Sequence, residues 1–216
     1  MRRFLIWYCI LSPVIFSIIV AVLGFITPGY DHAANTISEL SIGKYGWIQQ
    51  INLFQLASSG LLISLLFPPR LEHARAATIW RNGFLLCTVV TILLIIFPTE
   101  SVEKMHSSLF SLSFTGLSHL IIAICFLVIS PFGIRLLSDS IKSDRTYGHL
   151  AYITRVYSKP CLVCAVVWFV SLGTGIGMRY LGLVEKTAIA ILFYWLLSCA
   201  LTLKRDNRIL PDPKTL

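Results

Sequence analysis

Six long apolar runs, parted by short polar stretches, make up most of this chain; they cover residues 4–27, 47–67, 83–97, 107–130, 161–180 and 187–203. A bilayer-crossing helix needs about 20 predominantly apolar residues. The pattern therefore predicts an all-α polytopic membrane protein, a bundle of six transmembrane helices, with residues 204–216 as a polar tail. The third and sixth runs are short and predict helices that stand nearly upright or sit in locally thin bilayer. Pro68-Pro69, Pro98 and Pro131 are expected to end the second, third and fourth helices. The first run exceeds the apolar core of about 7–15 residues found in a signal peptide. It ends in Pro28-Gly29 without a small-residue cleavage site, which predicts a retained helix.

Composition agrees with this class. Hydrophobic residues make up 56% of the chain and charged residues 13%, and mean hydropathy is +0.78. Soluble domains carry about 25% charged residues. The net charge of +8 is distributed by topology and is not a nucleic-acid signal. With the N-terminus inside, the inner set comprises Arg2, Arg3, Arg70, Arg75, Arg81, Arg135, Lys142, Arg145, Arg155, Lys159, Lys204, Arg205, Arg208 and Lys214. The outer set is Lys44, Lys104, Arg179 and Lys186, so the split is fourteen against four. The positive-inside rule then predicts cytoplasmic N- and C-termini in a plasma or bacterial inner membrane. The long inner loop 132–160 is basic and carries Leu150, Ile153 and Tyr157 at helical spacing, which predicts an interfacial helix on anionic headgroups.

Cysteine chemistry is not indicated. Cys9, Cys87, Cys125 and Cys199 lie in apolar runs, and the lone Cys161-x-x-Cys164 opens a hydrophobic helix rather than following a strand. Gly173-x-x-x-Gly177 is read as a close-packing face of the fifth helix. Glu185-Lys186, in the last outer loop, is expected to form a local ion pair of little worth.

Polar groups collect in three places, and intramembrane ionisable residues are functional candidates by default. Between the first two helices, PGYDHAANTISELSIGKYGW gathers Tyr30, Asp31, His32, Asn35, Thr36, Ser38 and Glu39. Thr36 to Glu39 fits a capping box that starts a short helix, with Ile37 and Leu40 on the membrane surface. That pattern leaves Asp31-His32 unexplained, and such a pair can orient an imidazole, bind metal or serve as acid and base. On the second helix, Gln49, Asn52, Gln55 and Ser59 share one broad face; they serve either as interhelical hydrogen bonds or as the wall of a polar cavity. The third place holds Glu100, Glu103 and His106, followed by a stripe of Ser108, Ser111, Thr115 and His119. At 1.5 Å per residue, His106 and His119 stand roughly 20 Å apart on a helix, too far to share one metal.

Asp31, His32, Glu39, Glu100 and His106 are thus expected to meet at the outer ends of helices one to four, with Asn52 beneath them. Such a cluster could hold zinc through nitrogen and oxygen ligands, or work metal-free with Ser38 as nucleophile and a histidine as base. A b-type haem is disfavoured because only His119 lies deep.

The segments YDHAANTISELSIGKYGW with Asn52, FPTE with His106 downstream, and GLVEKTAIAILFYWLL carry a resemblance. The sequence resembles a bacterial and archaeal family of six-helix membrane proteins known as a domain of unknown function. The resemblance implies six helices and an outer-face polar motif, with a basic residue, here Lys186, after Glu185; it supplies no activity. A remoter likeness is to membrane hydrolases that place Ser, Asp and His at helix ends.

Two functional classes follow. One is a hydrolase or transferase acting on a lipid or lipid-linked substrate. In it Asp31, His32, His106 and Ser38 are catalytic, while Tyr30, Glu39, Asn52, Gln55, Glu100 and His119 bind. The other is a transporter or receptor for a small polar ligand in the same cavity. A non-enzymatic membrane subunit would need neither. Membrane lipids are the expected surroundings and partners.

Overall fold

The computed structural model describes residues 2–101, 104 and 112–209, the side chains of 206–209 excepted. His106, Glu103, Ser108 and Ser111, and the expected start of the fourth helix at 107, lie outside the described residues. Six long helices carry the fold: α1 (Arg2–Ile26), α2 (Gly46–Leu66), α3 (Ala74–Ile96), α4 (Phe114–Ile141), α5 (Gly148–Thr174) and α6 (Leu181–Ile209). All six are long and apolar enough to cross a membrane. Large side chains such as Phe4, Phe25, Phe54, Phe114 and Val163 point away from the bundle, as a lipid-facing surface requires.

Each helix packs on its neighbour in the chain, and α6 returns to pack on α1, so the six form a closed ring. The chain crosses the bundle with each helix. The start of α1, the end of α6 and the turns 67–73 and 142–147 therefore share one end, here the terminal end. Residues 27–45, 97–101, 112–113 and 175–180 share the other, here the loop end.

Several boundaries differ from the expected ones. Pro131 does not end α4, and Pro160 lies inside α5. Proline's fixed φ is helical, and in a bundle the freed carbonyl is re-satisfied by neighbours and local adjustment. The expected interfacial loop 132–160 thereby shrinks to a turn at 142–147. The buried Asp144 carboxylate organises that turn, accepting from the N–H groups of Thr146, Tyr147 and Glu72 at 3.0, 2.8 and 3.1 Å. Leu150 is core, not headgroup contact. α3 begins at Ala74, so it is not short, and the start of the expected tail continues α6. Gly173 would have open space around an added Cβ, and α5 stops at Thr174 with left-handed Gly175 behind it. The Gly173–Gly177 spacing is therefore a helix end and turn rather than a packing face.

The main core fills the terminal end. Phe67 and Trp80 lie 4.6 Å apart between ring centroids, Phe84 stacks on Trp195 at 5.3 Å, and Tyr147 closes on Phe67 at 5.1 Å. Indole N–H groups are satisfied inside it: Trp80 donates to the Leu137 carbonyl at 3.1 Å, and Trp195 donates to the Thr154 hydroxyl at 3.1 Å. A polar seam joins α1 to α2. Asn52 donates to the Phe16 carbonyl at 3.2 Å, Gln55 to the Ser12 carbonyl at 3.0 Å, and the Tyr8 hydroxyl to the Gln55 carbonyl at 2.9 Å. Such bonds contribute about 0.6–2 kcal/mol each between membrane helices.

Candidate functional site: a cavity beneath the 30–42 loop

The loop after α1 is built by its own side chains. Left-handed Gly29 and Gly43 bracket it. Asp31 makes an Asx turn, accepting from the Ala33 N–H at 2.7 Å, and the Asn35 side-chain oxygen accepts from the Asp31 N–H at 2.7 Å. Glu39 accepts from the Thr36 N–H at 2.7 Å, which is the return arm of the expected capping box. The Thr36 hydroxyl does not cap; it contacts Ser38 at 3.1 Å and Glu39 at 3.2 Å. The helix so started is a single 3-10 turn, Ser38–Ser41. Ile37 and Leu40 are buried against Phe16, Val20 and Leu23 instead of resting on a membrane surface. The apolar area they hide outweighs an interfacial position.

The start of α6 docks into this loop. Gly182 and Leu183, whose N–H groups would be orphans of a helix start, donate to the Ala34 and Ala33 carbonyls at 3.1 and 2.9 Å. Only glycine permits the approach, since a Cβ at 182 would run into the Asn35 carbonyl oxygen. Glu185 accepts from the Ile37 N–H at 3.0 Å. Lys186 donates to the Asn35 and His32 carbonyls at 2.7 and 3.1 Å and sits 5.1 Å from the Tyr30 ring centre. Both side chains thus turn to the loop rather than forming the expected pair with each other. Tyr30 donates to the Thr36 carbonyl at 3.0 Å. Burial pushes its phenol pKa well up, and the nearby Glu185 and Glu39 carboxylates add to the rise.

Beneath the loop the ring is hollow. A cavity of about 180 Å³ takes lining side chains from the loop and all six helices. Toward the loop end its wall carries Ser38, Gln49, Thr91, His119 and Glu185; deeper, it carries Phe84, Leu127 and Trp195. His119 donates from Nδ1 to the Phe97 carbonyl at 2.7 Å. A carbonyl can only accept, so the neutral ring keeps its lone pair on Nε2. The Gln49 side-chain nitrogen and the Trp168 indole nitrogen also belong to lining residues, and both are buried without a partner among the described residues.

Of the residues singled out in the sequence for the polar clusters, Thr36, Ser38, Gln49 and His119 reach this cavity. Tyr30 and Glu39 are engaged within the loop, and Asn52 and Gln55 within the α1–α2 seam. Asp31 is exposed, while His32 turns onto Gly24, Phe25 and Tyr30, and the two make no hydrogen bond to each other among the described residues. Glu100 accepts from Lys104 at 2.8 Å and from the Ser113 N–H at 3.3 Å, at the start of α4. The Lys104 bond holds its carboxyl below the usual carboxylate range. His106 lies outside the described residues. Among those described, no group of three or more His, Cys, Asp or Glu side chains is placed to hold a metal ion.

Sequence reasoning missed Glu185, Trp168 and the Phe84–Thr88–Thr91 stripe of α3. Spacings of four and three along that stripe were a legible sign of a shared inward face. Glu185 looked like a loop residue because its helix begins earlier than its apolar run. The family profile described as "Protein of unknown function (DUF998)" matches residues 10–202. No curated protein and no solved structure matches the chain. With nearly all of the six-helix ring inside the match, the chain belongs to this DUF998 family of proteins of unknown function.

Proposed function

We propose that the ring binds the head group and first few methylenes of one single-chain amphiphile in its cavity, as a membrane receptor or carrier. The observation that supports this is the gradient along the cavity: hydroxyl, amide, imidazole and carboxylate groups near the loop, aromatic and aliphatic groups below. An unsatisfied buried donor costs about 1–3 kcal/mol, and Gln49 and Trp168 each present one. Ligand oxygens relieve that cost, while His119 Nε2 and Glu185 accept from ligand hydroxyls. Donors and acceptors so mixed favour an uncharged, hydroxyl- or amide-bearing head group over an acidic one beside Glu185. The fourteen-to-four division of Lys and Arg supports placing the loop end outside, in a plasma or bacterial inner membrane.

A dibrominated monoacylglycerol tests this through quenching of tryptophan fluorescence, since Trp168 and Trp195 line the cavity. Saturable one-site quenching in the wild type, lost when Ala123 in the cavity wall becomes Phe, is the expected result. Equal quenching of both proteins overturns the reading.

A second reading, hydrolysis or transfer on the same ligand, is favoured by the fixed tautomer of His119 with Ser38 on the same wall. There His119 Nε2 is the base and Ser38 the nucleophile; Asp31, His32 and His106 form the alternative set. Single alanine replacements that abolish turnover of the bound ligand, yet leave its binding intact, would identify which set acts.

A further inference from the structure

A second void, of about 240 Å³, lies between α1 and α6. Its wall includes Ser17 and Ala21 of α1 and Ala190 of α6, small side chains that are exposed on the outside of the ring. It is therefore a groove on the face that lipid covers. Its polar end is formed by Lys186 and by His32, whose Nε2 is buried without a partner among the described residues. Four residues, Phe16, Ile37, Ile189 and Phe193, line both this groove and the central cavity. The partition between the two is thus one side chain thick. Its centre is the edge-to-face pair Phe16–Phe193, with ring centroids 5.1 Å apart and planes at 82°.

We infer that the α1–α6 groove is the port through which a membrane-dissolved amphiphile reaches the cavity, with Phe16 and Phe193 as the side chains that part to admit it. The inference rests on the cavity being a binding site, as proposed above. It adds that the ligand comes from the bilayer and not from water. Small residues along the groove leave width for one acyl chain. His32 caps the groove where the loop meets the helices, its ring laid on Gly24 and Tyr30. The Lys186 ammonium is held by the loop carbonyls and frames the polar end. Rotation of two aromatic rings is a local change that leaves the helix ring closed.

The port and the site separate kinetically. A monoacylglycerol carrying a parinaroyl chain, presented in liposomes holding the full chain, reports arrival by energy transfer from tryptophan. Phe at Ala190 narrows the groove without touching the cavity. Ala190→Phe should slow entry and release by the same factor, at least tenfold, and leave Kd within twofold. Phe193→Ala should speed entry at least fivefold. Leu183→Phe, at an exposed position on the same helix outside the groove, should change neither rate. An entry rate within twofold of wild type in Ala190→Phe overturns the port while leaving the binding site standing. Absence of saturable transfer in the wild type removes both.

Discussion

The two ends of this ring solve the same packing problem in opposite ways. At the terminal end Phe67, Trp80, Phe84, Tyr147 and Trp195 interlock, and both tryptophans there have their N–H groups satisfied. At the loop end the helices enclose a cavity, and the closure is made by residues 30–42, which bind α6 through backbone and side-chain hydrogen bonds. Membrane helices gain little from apolar burial alone, because lipid is as apolar as the interior. Tight packing at one end therefore has to hold the ring while the other end encloses a cavity. Stability and the proposed binding are divided along the axis of the same six helices.

Mutations can break this division. The largest effect is expected from Trp80→Ala, which removes the centre of the aromatic core and should cost about 3–5 kcal/mol in an SDS unfolding titration. Gly182→Ala forces a Cβ onto the Asn35 carbonyl; the loop must shift, at a cost of about 1–3 kcal/mol. Ala123→Leu reverses the sign. It fills the hollow end and should raise stability by about 0.5–2 kcal/mol while weakening monoacylglycerol binding at least tenfold. Loss of stability in that variant would mean that the cavity is closely packed after all.

Tyr30→Phe removes the hydroxyl bond to the Thr36 carbonyl and should cost about 0.5–1.5 kcal/mol. It also sharpens the comparison through pH. The raised Tyr30 pKa means the folded loop keeps its phenol proton after an unfolded chain has lost it. That contribution is complete below the ordinary phenol pKa of about 10 and declines as pH rises above it. Unfolding titrations of the Phe variant at increasing alkalinity should show a shallower decline than the wild type. Glu100→Gln should have the smallest effect. Its carboxyl pKa lies below the usual range, so its contribution is present above that range and fades as pH falls, and an i,i+4 pair that is still partly open to solvent contributes little.

The helix count and the all-α class were legible because a membrane span leaves a signal as long as itself. Boundaries were less so. Pro131 read as a stop and Pro160 as the end of a loop by the rules for isolated helices, yet each sits inside a helix held by its neighbours. The polar loop was also visible, and Glu39 reaches back to Thr36 as the local spacing implied. What local spacing could not reveal is direction. Asp31 and His32 are adjacent in the chain, but an Asx turn sends one outward and lays the other on Gly24. Glu185 reaches the cavity through contacts with Ile37, far away in sequence, and no local pattern encodes such a contact. His119 was visible as a deep polar residue; its tautomer followed only when Phe97 was found opposite.

Native mass spectrometry of the full chain, purified from its own membrane, tests the hollow end most directly. The account predicts one single-chain lipid retained per wild-type chain and none retained by Ala123→Leu. Wild type that flies bare, or equal retention by both proteins, would contradict it.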